Sequence, residues 1–257
     1  MAAITVNSLN INDATNYTVT EVTYRHTAAR DVQTAGISRN PGDKLVATEW
    51  KNKEITIKGY VFGSSPTTLR TLVDALHQNF AVQSLSLAID TDRTYTATMT
   101  DLKVPTQFYN NSYVEYEAKF LAVDPFAYAS QVTASGTVAS GTSSVTSTIT
   151  ISGTVFAGPI LSIYPKGANA GNSGIRAIKI THVPTGETIT VSGTFNYNAA
   201  VSIDYMNFLV TNSGVASDYT GIFSRWQPGS VSFTIATISG VSNGYNYRFS
   251  YSPRYYQ

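Results

Sequence analysis

The stretch Tyr113–Tyr128, YVEYEAKFLAVDPFAY, decides how the first half of this chain is read. From Tyr113 to Val123 the residues alternate: Val114, Tyr116, Ala118, Phe120 and Ala122 fall on one face, Glu115, Glu117 and Lys119 on the other. Side chains of a strand point to opposite sides in turn, so this period of two predicts a half-buried strand. Asp124-Pro125 ends it, because proline has no N–H for a ladder and biases its predecessor toward extended backbone. Upstream, Glu54-Ile-Thr-Ile-Lys-Gly-Tyr-Val61 predicts a second strand that leads into a helix over 66–79.

The helix is bounded by its own chemistry. Ser65 suits the N-cap, and Pro66 the first helical position, where a missing N–H costs nothing. Leu69, Leu72, Val73 and Leu76 repeat at i, i+3, i+4 and i+7 and form one apolar stripe. Further strands are expected around Ile55/Ile57, Leu85/Leu87/Ile89 and Tyr95/Ala97/Met99. Residues 20–52 read as two strands flanking a long loop with a turn at Asn40-Pro-Gly-Asp43.

Charge divides the chain. Residues 1–130 hold nearly all the acidic groups, and Pro125 to Pro165 carries no charged side chain. Residues 131–157 are read as a Ser/Thr-rich connector with short strands, since Val145-Thr-Ser-Thr-Ile-Thr-Ile151 alternates and is β-branched. Beyond it, residues 158–257 show alternating runs at Ile160–Ile163, Ile178–Ile180, Thr188–Val191, Val201–Tyr205, Val231–Ile235 and Tyr245–Tyr251. Pro184-Thr-Gly-Glu187, Asn212-Ser-Gly214, Gln227-Pro-Gly-Ser230 and Asn243-Gly244 punctuate them as turns. Short strands so spaced predict a β-sandwich or jelly roll.

Composition narrows function. Seventeen basic against 16 acidic side chains leave a formal charge of +1, with no clustered basic surface for sequence-specific nucleic-acid binding. Zero cysteines exclude disulfides, thiolate metal sites and cysteine nucleophiles. No secretory signal and no apolar run long enough to span a membrane is visible, so a soluble chain folding in a cytoplasm, without membrane insertion, is expected. Asn16-Tyr-Thr18 and Asn110-Asn-Ser112 match glycosylation sequons by chance on that reading.

Candidate chemistry is thin. Glu115 and Glu117 share a strand face as a glycosidase pair could, but Lys119 continues that face, and a charge stripe is the plainer reading. His26, His77 and His182 are scattered, and none has metal-ligand spacing; His77 lies near the helix C-terminus, where it suits the helix dipole. Asp90-Thr-Asp92 lacks the glycine and closing glutamate of a calcium loop. Lys166–Gly174 lacks the ending of a phosphate loop. No catalytic residue, metal or cofactor is assigned. Among aromatics, Tyr245, Tyr247, Phe249 and Tyr251 share one parity and so one core or interface face, whereas Trp226 is the candidate sugar or partner contact.

Several separated stretches resemble the distal tail protein (Dit) family of siphophages, a tail-tip and baseplate hub ring component. KEITIKGYVFG at 53–63 and FLAVDPFAY at 120–128 are similar to the strand entering that family's flanking helix and to the close of its N-terminal domain. ISGTVFAGPILSIYPKG at 151–167, VPTGETITV at 183–191, WQPGSVSFTI at 226–235 and YRFSYSPRYY at 247–256 resemble parts of its galectin-like second domain. The resemblance implies a mainly β chain: an N-terminal β-sandwich-like ring-forming domain with one flanking helix over 1–130, and a C-terminal galectin-like sandwich. It implies a homohexameric ring at the virion tail tip, assembled in the host cytoplasm and surrounding the channel used by the tape measure protein and then by DNA. Other expected partners are the tail tube protein, the tail hub or tail-associated protein, and fibre or receptor-binding proteins. Residues 20–52 would form a belt clasping the neighbouring subunit, with Arg25, His26, Arg30 and Asp31 as ring-interface candidates. The alternatives are a carbohydrate-binding adhesion module, in which Trp226 touches the glycan, and a polysaccharide-cleaving enzyme using Glu115 and Glu117.

Overall fold

The structure, a computed structural model, describes residues 3–24, 26–36, 43–90, 92–105, 112–167, 173–240 and 243–256. The chain divides into two compact units, Met1–Ala129 with Tyr256–Gln257, and Ser130–Tyr255. Each has its own apolar core.

The first unit runs β1 (Thr5–Val6), β2 (Leu9–Asn10), β3 (Tyr17–Thr23), β4 (Arg30–Gly36), β5 (Asp43–Trp50), β6 (Lys53–Phe62), α1 (Pro66–Phe80), β7 (Leu85–Asp90), β8 (Arg93–Lys103), β9 (Tyr113–Ala122) and β10 (Ala127–Tyr128). Its antiparallel path is β2-β1-β7-β8-β9-β6-β3. The first part of β8 pairs with β7 as far as Leu85↔Ala97, and the rest pairs with β9 from Thr98↔Leu121. One strand thus serves both walls of the core. The decisive alternation holds in β9, where Val114, Tyr116, Ala118, Phe120 and Ala122 are buried against Val61, Gly59, Ile57, Ile55 and Lys53 of β6.

The helix begins as expected: the Ser65 hydroxyl accepts from the Thr68 N–H at 3.2 Å, and Pro66 opens the first turn. Leu69, Val73, Leu76 and Phe80 are buried on the sheet, with Leu72 at the margin. Each contributes roughly 1.5–3 kcal/mol by area removed from water, an upper figure since unfolded chains are partly compact.

The second unit contains β11 (Val132–Val138), β12 (Ser144–Ile151), β13 (Ile160–Pro165), β14 (Ile175–His182), β15 (Thr188–Ser192), β16 (Val201–Asp204), β17 (Leu209–Asn212), β18 (Val215–Ala216), β19 (Tyr219–Gly221), β20 (Gly229–Gly240) and β21 (Tyr245–Tyr251). They form two antiparallel sheets, β11-β21-β13-β16-β17-β18 and β12-β20-β14-β15-β19. The inner rows interleave around Trp226, Phe233 and Phe249, as two facing sheets require. Turn glycines take the positive φ their turns demand, as at Gly186 (+73°) and Gly229 (+116°).

Residues 131–157, read as a connector with short strands, contain two strands of the second unit's sheets. β11 lies along β21 from Val132↔Tyr251 to Val138↔Tyr245, and β12 along β20 from Ser144↔Ala236 to Ile151↔Gly229. Ser, Thr and Gly suggest a linker by composition, but alternating Thr and Val also fit a pleated surface. The partner strands decide between the two.

Candidate assembly interface

The described part of residues 20–52 is mostly strand. After β3, β4 and β5 make a two-stranded ribbon in register from Arg30↔Trp50 to Gly36↔Asp43, with an irregularity at Gln33/Thr34. Among the described residues the ribbon pairs with no other strand. Its base is anchored: the Lys51 N–H donates to the Ala29 carbonyl at 2.8 Å, and the Arg30 guanidinium lies 4.0 Å over the Trp50 ring. Trp50 in turn meets Phe126 at 5.9 Å and Tyr256 at 5.3 Å. Beyond the base, Asp31, Val32, Gln33 and Thr34 are exposed, Val32 at 55%. The Asp31–Lys51 ion pair at 3.7 Å is more than half exposed on both sides and adds little. An isolated two-stranded ribbon is marginal in water, so this one needs a surface to lie on.

Of the ring-interface candidates, Arg30 and Asp31 begin the ribbon and His26 is an exposed residue just before it. Arg25 lies outside the described residues, as do Asn40, Pro41 and Gly42 of the expected turn.

The outward face of β6 and β9 carries the charge stripe. Lys58 pairs with Glu21 at 2.9 Å, and Glu117 lies 3.9 Å from Lys103 and 3.8 Å from Lys119. The Glu115 carboxylate, hydrogen-bonded to the Tyr60 hydroxyl, holds that phenol above its ordinary range. Tyr60, Phe62 and Tyr113 cluster at one end, with ring centroids 5.6–6.1 Å apart. Glu117 is thus tied to lysines, and Glu115 to a tyrosine. Asp90 accepts a hydrogen bond from the Tyr24 hydroxyl at 3.1 Å, and His77 stands in the last turn of α1. Among the described residues no group of acidic or histidine side chains could hold a metal ion, and no helix is long and apolar enough to cross a membrane.

Trp226, the candidate sugar or partner contact, is fully buried. Its ring packs on Phe249 (4.9 Å), His182 (5.0 Å), Tyr205 (5.4 Å) and Phe233 (5.6 Å). The turn that follows it delivers the chain into β20, and the Trp226 carbonyl accepts from the Ala157 N–H at 2.8 Å. Among the described residues, the indole N–H and the His182 Nε2 have no hydrogen-bond partner. His182 Nδ1 lies 2.8 Å from the Thr185 hydroxyl, which donates to Glu187. Sequence reasoning missed the exposed aromatics, Phe208 at 65% and Tyr219 at 40%, which meet Phe223 at 5.5 and 5.1 Å. Phe208 adopts a positive φ of 54° at the end of a turn that Asp204 opens by accepting from the Met206 and Asn207 N–H groups.

No protein-family profile and no curated protein matches the chain. Solved structures do. The crystal structure of the phage SPP1 Dit protein, described as a paradigm of the hub adsorption apparatus in phages infecting Gram-positive bacteria, is 13% identical, covers 98% of both chains and superposes with a TM-score of 0.66. Chains of the phage P2 baseplate in its activated conformation, with calcium and with strontium, are 9% and 10% identical, cover 95% of this chain and 92% of theirs, and reach TM-scores of only 0.48 and 0.46. Over nearly its whole length, then, this mainly β, two-unit chain has the fold of the SPP1 Dit protein.

Proposed function

We propose that this protein is a structural component of a phage tail, a hub at the tail tip where the adsorption apparatus is built. Copies close head to tail into a hexameric ring through the first unit, and the ribbon of β4 and β5 lies on the neighbouring copy. The ring joins the tail tube protein to the tail hub or receptor-binding proteins and leaves a channel for the tape measure protein and DNA. Particles assemble in the host cytoplasm. The activity is the shape, with no catalytic step.

The observation that carries this reading is the ribbon, two paired strands with side chains exposed at residues 31–34 and, among the described residues, no third strand beside them. A head-to-tail contact whose rotation closes gives each ribbon the surface it lacks. The full-length likeness to SPP1 Dit supports the same assignment. Arg30 lies over Trp50 at the ribbon's base, and His26 and Asp31 flank the proposed contact. Negative-stain images and mass measurement test it: closed six-fold rings, single or back to back, are expected. A monomer at every concentration overturns it.

A further inference from the structure

An edge strand leaves one row of N–H and C=O groups unpaired, and natural sheets blunt such edges with short strands, lysine, proline or bulges. The second unit treats its two sides differently. On one side the sheets end in β18, of two residues, and β19, of three. On the other they end in β11, of seven residues, and β12, of eight. Both long strands are in unbroken register with their inner neighbours. Neither contains Lys, Arg, Asp, Glu or Pro. Among the described residues each pairs on one side only, and Ser144, Thr146, Thr148 and Thr150 are exposed. The Tyr247 hydroxyl lies 2.5 Å from that of Ser147, and Tyr247 stands opposite Gly136. The two strands therefore form one stiff, neutral border.

We propose that this border pairs antiparallel with the same border of a second copy, β12 against β12, about a two-fold axis normal to the sheets. Neutrality favours a copy over an unlike partner: like meets like without repulsion, whereas selecting a foreign strand needs charges or pockets that this edge lacks. The required contact already exists once in the chain, where the Thr146 and Thr234 hydroxyls, and those of Thr148 and Ser232, lie 2.8 Å apart across β12 and β20. In the two-fold pair Thr146 faces Thr148 of the second copy, and each hydroxyl has acceptor capacity for both neighbours. A strand of this length spans about 27 Å and covers less than the roughly 800 Å² per partner of an autonomous complex. The pair is therefore weak alone and forms where copies are concentrated. It does not depend on ring closure through the first unit.

The chain has no cysteine, so single introduced thiols report one contact each. In the full-length protein, a mixture of Thr146→Cys and Thr148→Cys chains should form an intermolecular disulfide at least about tenfold faster than Thr220→Cys on the far edge, because paired strands hold facing Cβ atoms within about 5 Å. Adding Ser144→Lys and Thr150→Lys, which places lysine opposite lysine across the axis, should abolish that advantage. Equal rates for the 146/148 mixture and for residue 220 at high protein concentration, in variants whose circular dichroism matches the parent, overturn the proposal. Survival of the advantage in the lysine variant overturns it too. Ring formation is read separately from particle images.

Discussion

Replacing Lys53 by methionine should make this protein more stable at neutral pH. Lys53 opens β6 on the inward side, fully buried, and its ammonium donates to the Tyr95 hydroxyl at 3.0 Å. A tyrosine hydroxyl is a neutral partner, and one such bond does not replace the hydration of a cation. Burial accordingly pushes the lysine down from 10.5 to about 8. At about 1.4 kcal/mol per unit, that shift bounds the cost of the buried charge near 3.5 kcal/mol. Relaxation and water reaching the amine bring the expected gain for Lys53→Met to roughly 1–2 kcal/mol. Methionine keeps the apolar stem and its volume, so little packing is lost.

The pH dependence separates charge from packing. The unfolded chain holds this proton up to about 10.5, the folded chain only to about 8. Between those values the unfolded state binds more protons, so stability rises with pH. Urea unfolding of parent and variant at one protomer concentration, from pH 7 to 10, should show the variant ahead at pH 7 and the gap closing above pH 8. Burial also pushes Tyr95 up to about 12, which costs stability only above pH 10, outside this window. A variant less stable at pH 7, or a gap constant across the range, refutes the reasoning.

Other positions give equally definite expectations. In Gly59→Ala the new Cβ would stand 2.3 Å from the Thr18 carbonyl and 2.9 Å from the Tyr116 hydroxyl, costing about 1–3 kcal/mol. Adding Tyr116→Phe should not rescue it, because the tighter clash is with backbone; full rescue in thermal melts contradicts this. Burial lowers His182 below its usual 6.5, partly opposed by Glu187. As pH falls through 6.5 the unfolded chain takes the proton first, and stability drops. His182→Leu should flatten that part of the acid limb, and an unchanged slope counts against the assignment. Trp226→Ala should cost about 3–5 kcal/mol through a cavity in the second core, and a loss below 1 kcal/mol in denaturant titrations would show that the indole is not a core residue.

Much of this was written in short-range pattern. The Ser65-Pro66 start and the spacing of Leu69, Val73 and Leu76 placed α1, and parity along Val114–Ala122 placed the inner face of β9. Proline and glycine marked the turns after β14 and before β20, because φ is a local property. The same parity that put Ile55 and Ile57 inside puts Lys53 beside them, a signal open to view in the sequence. Other elements are short or polar: β17, β18 and β19 leave no clear alternation, and the candidate interface residues Arg30 and Asp31 carry no pattern of their own.

The amino-acid order by itself determined which of the strongly patterned segments become strand, helix or turn, since backbone geometry sets periods of two and 3.6 within a few residues. Only the tertiary structure decided what each segment meets. It made the short strands of residues 131–157 the bordering strands of the second unit's sheets, buried Trp226 in that unit's core, and, among the described residues, paired β4 and β5 only with each other. Burial is fixed by strands far apart in sequence, and composition alone cannot say which of them will lie alongside.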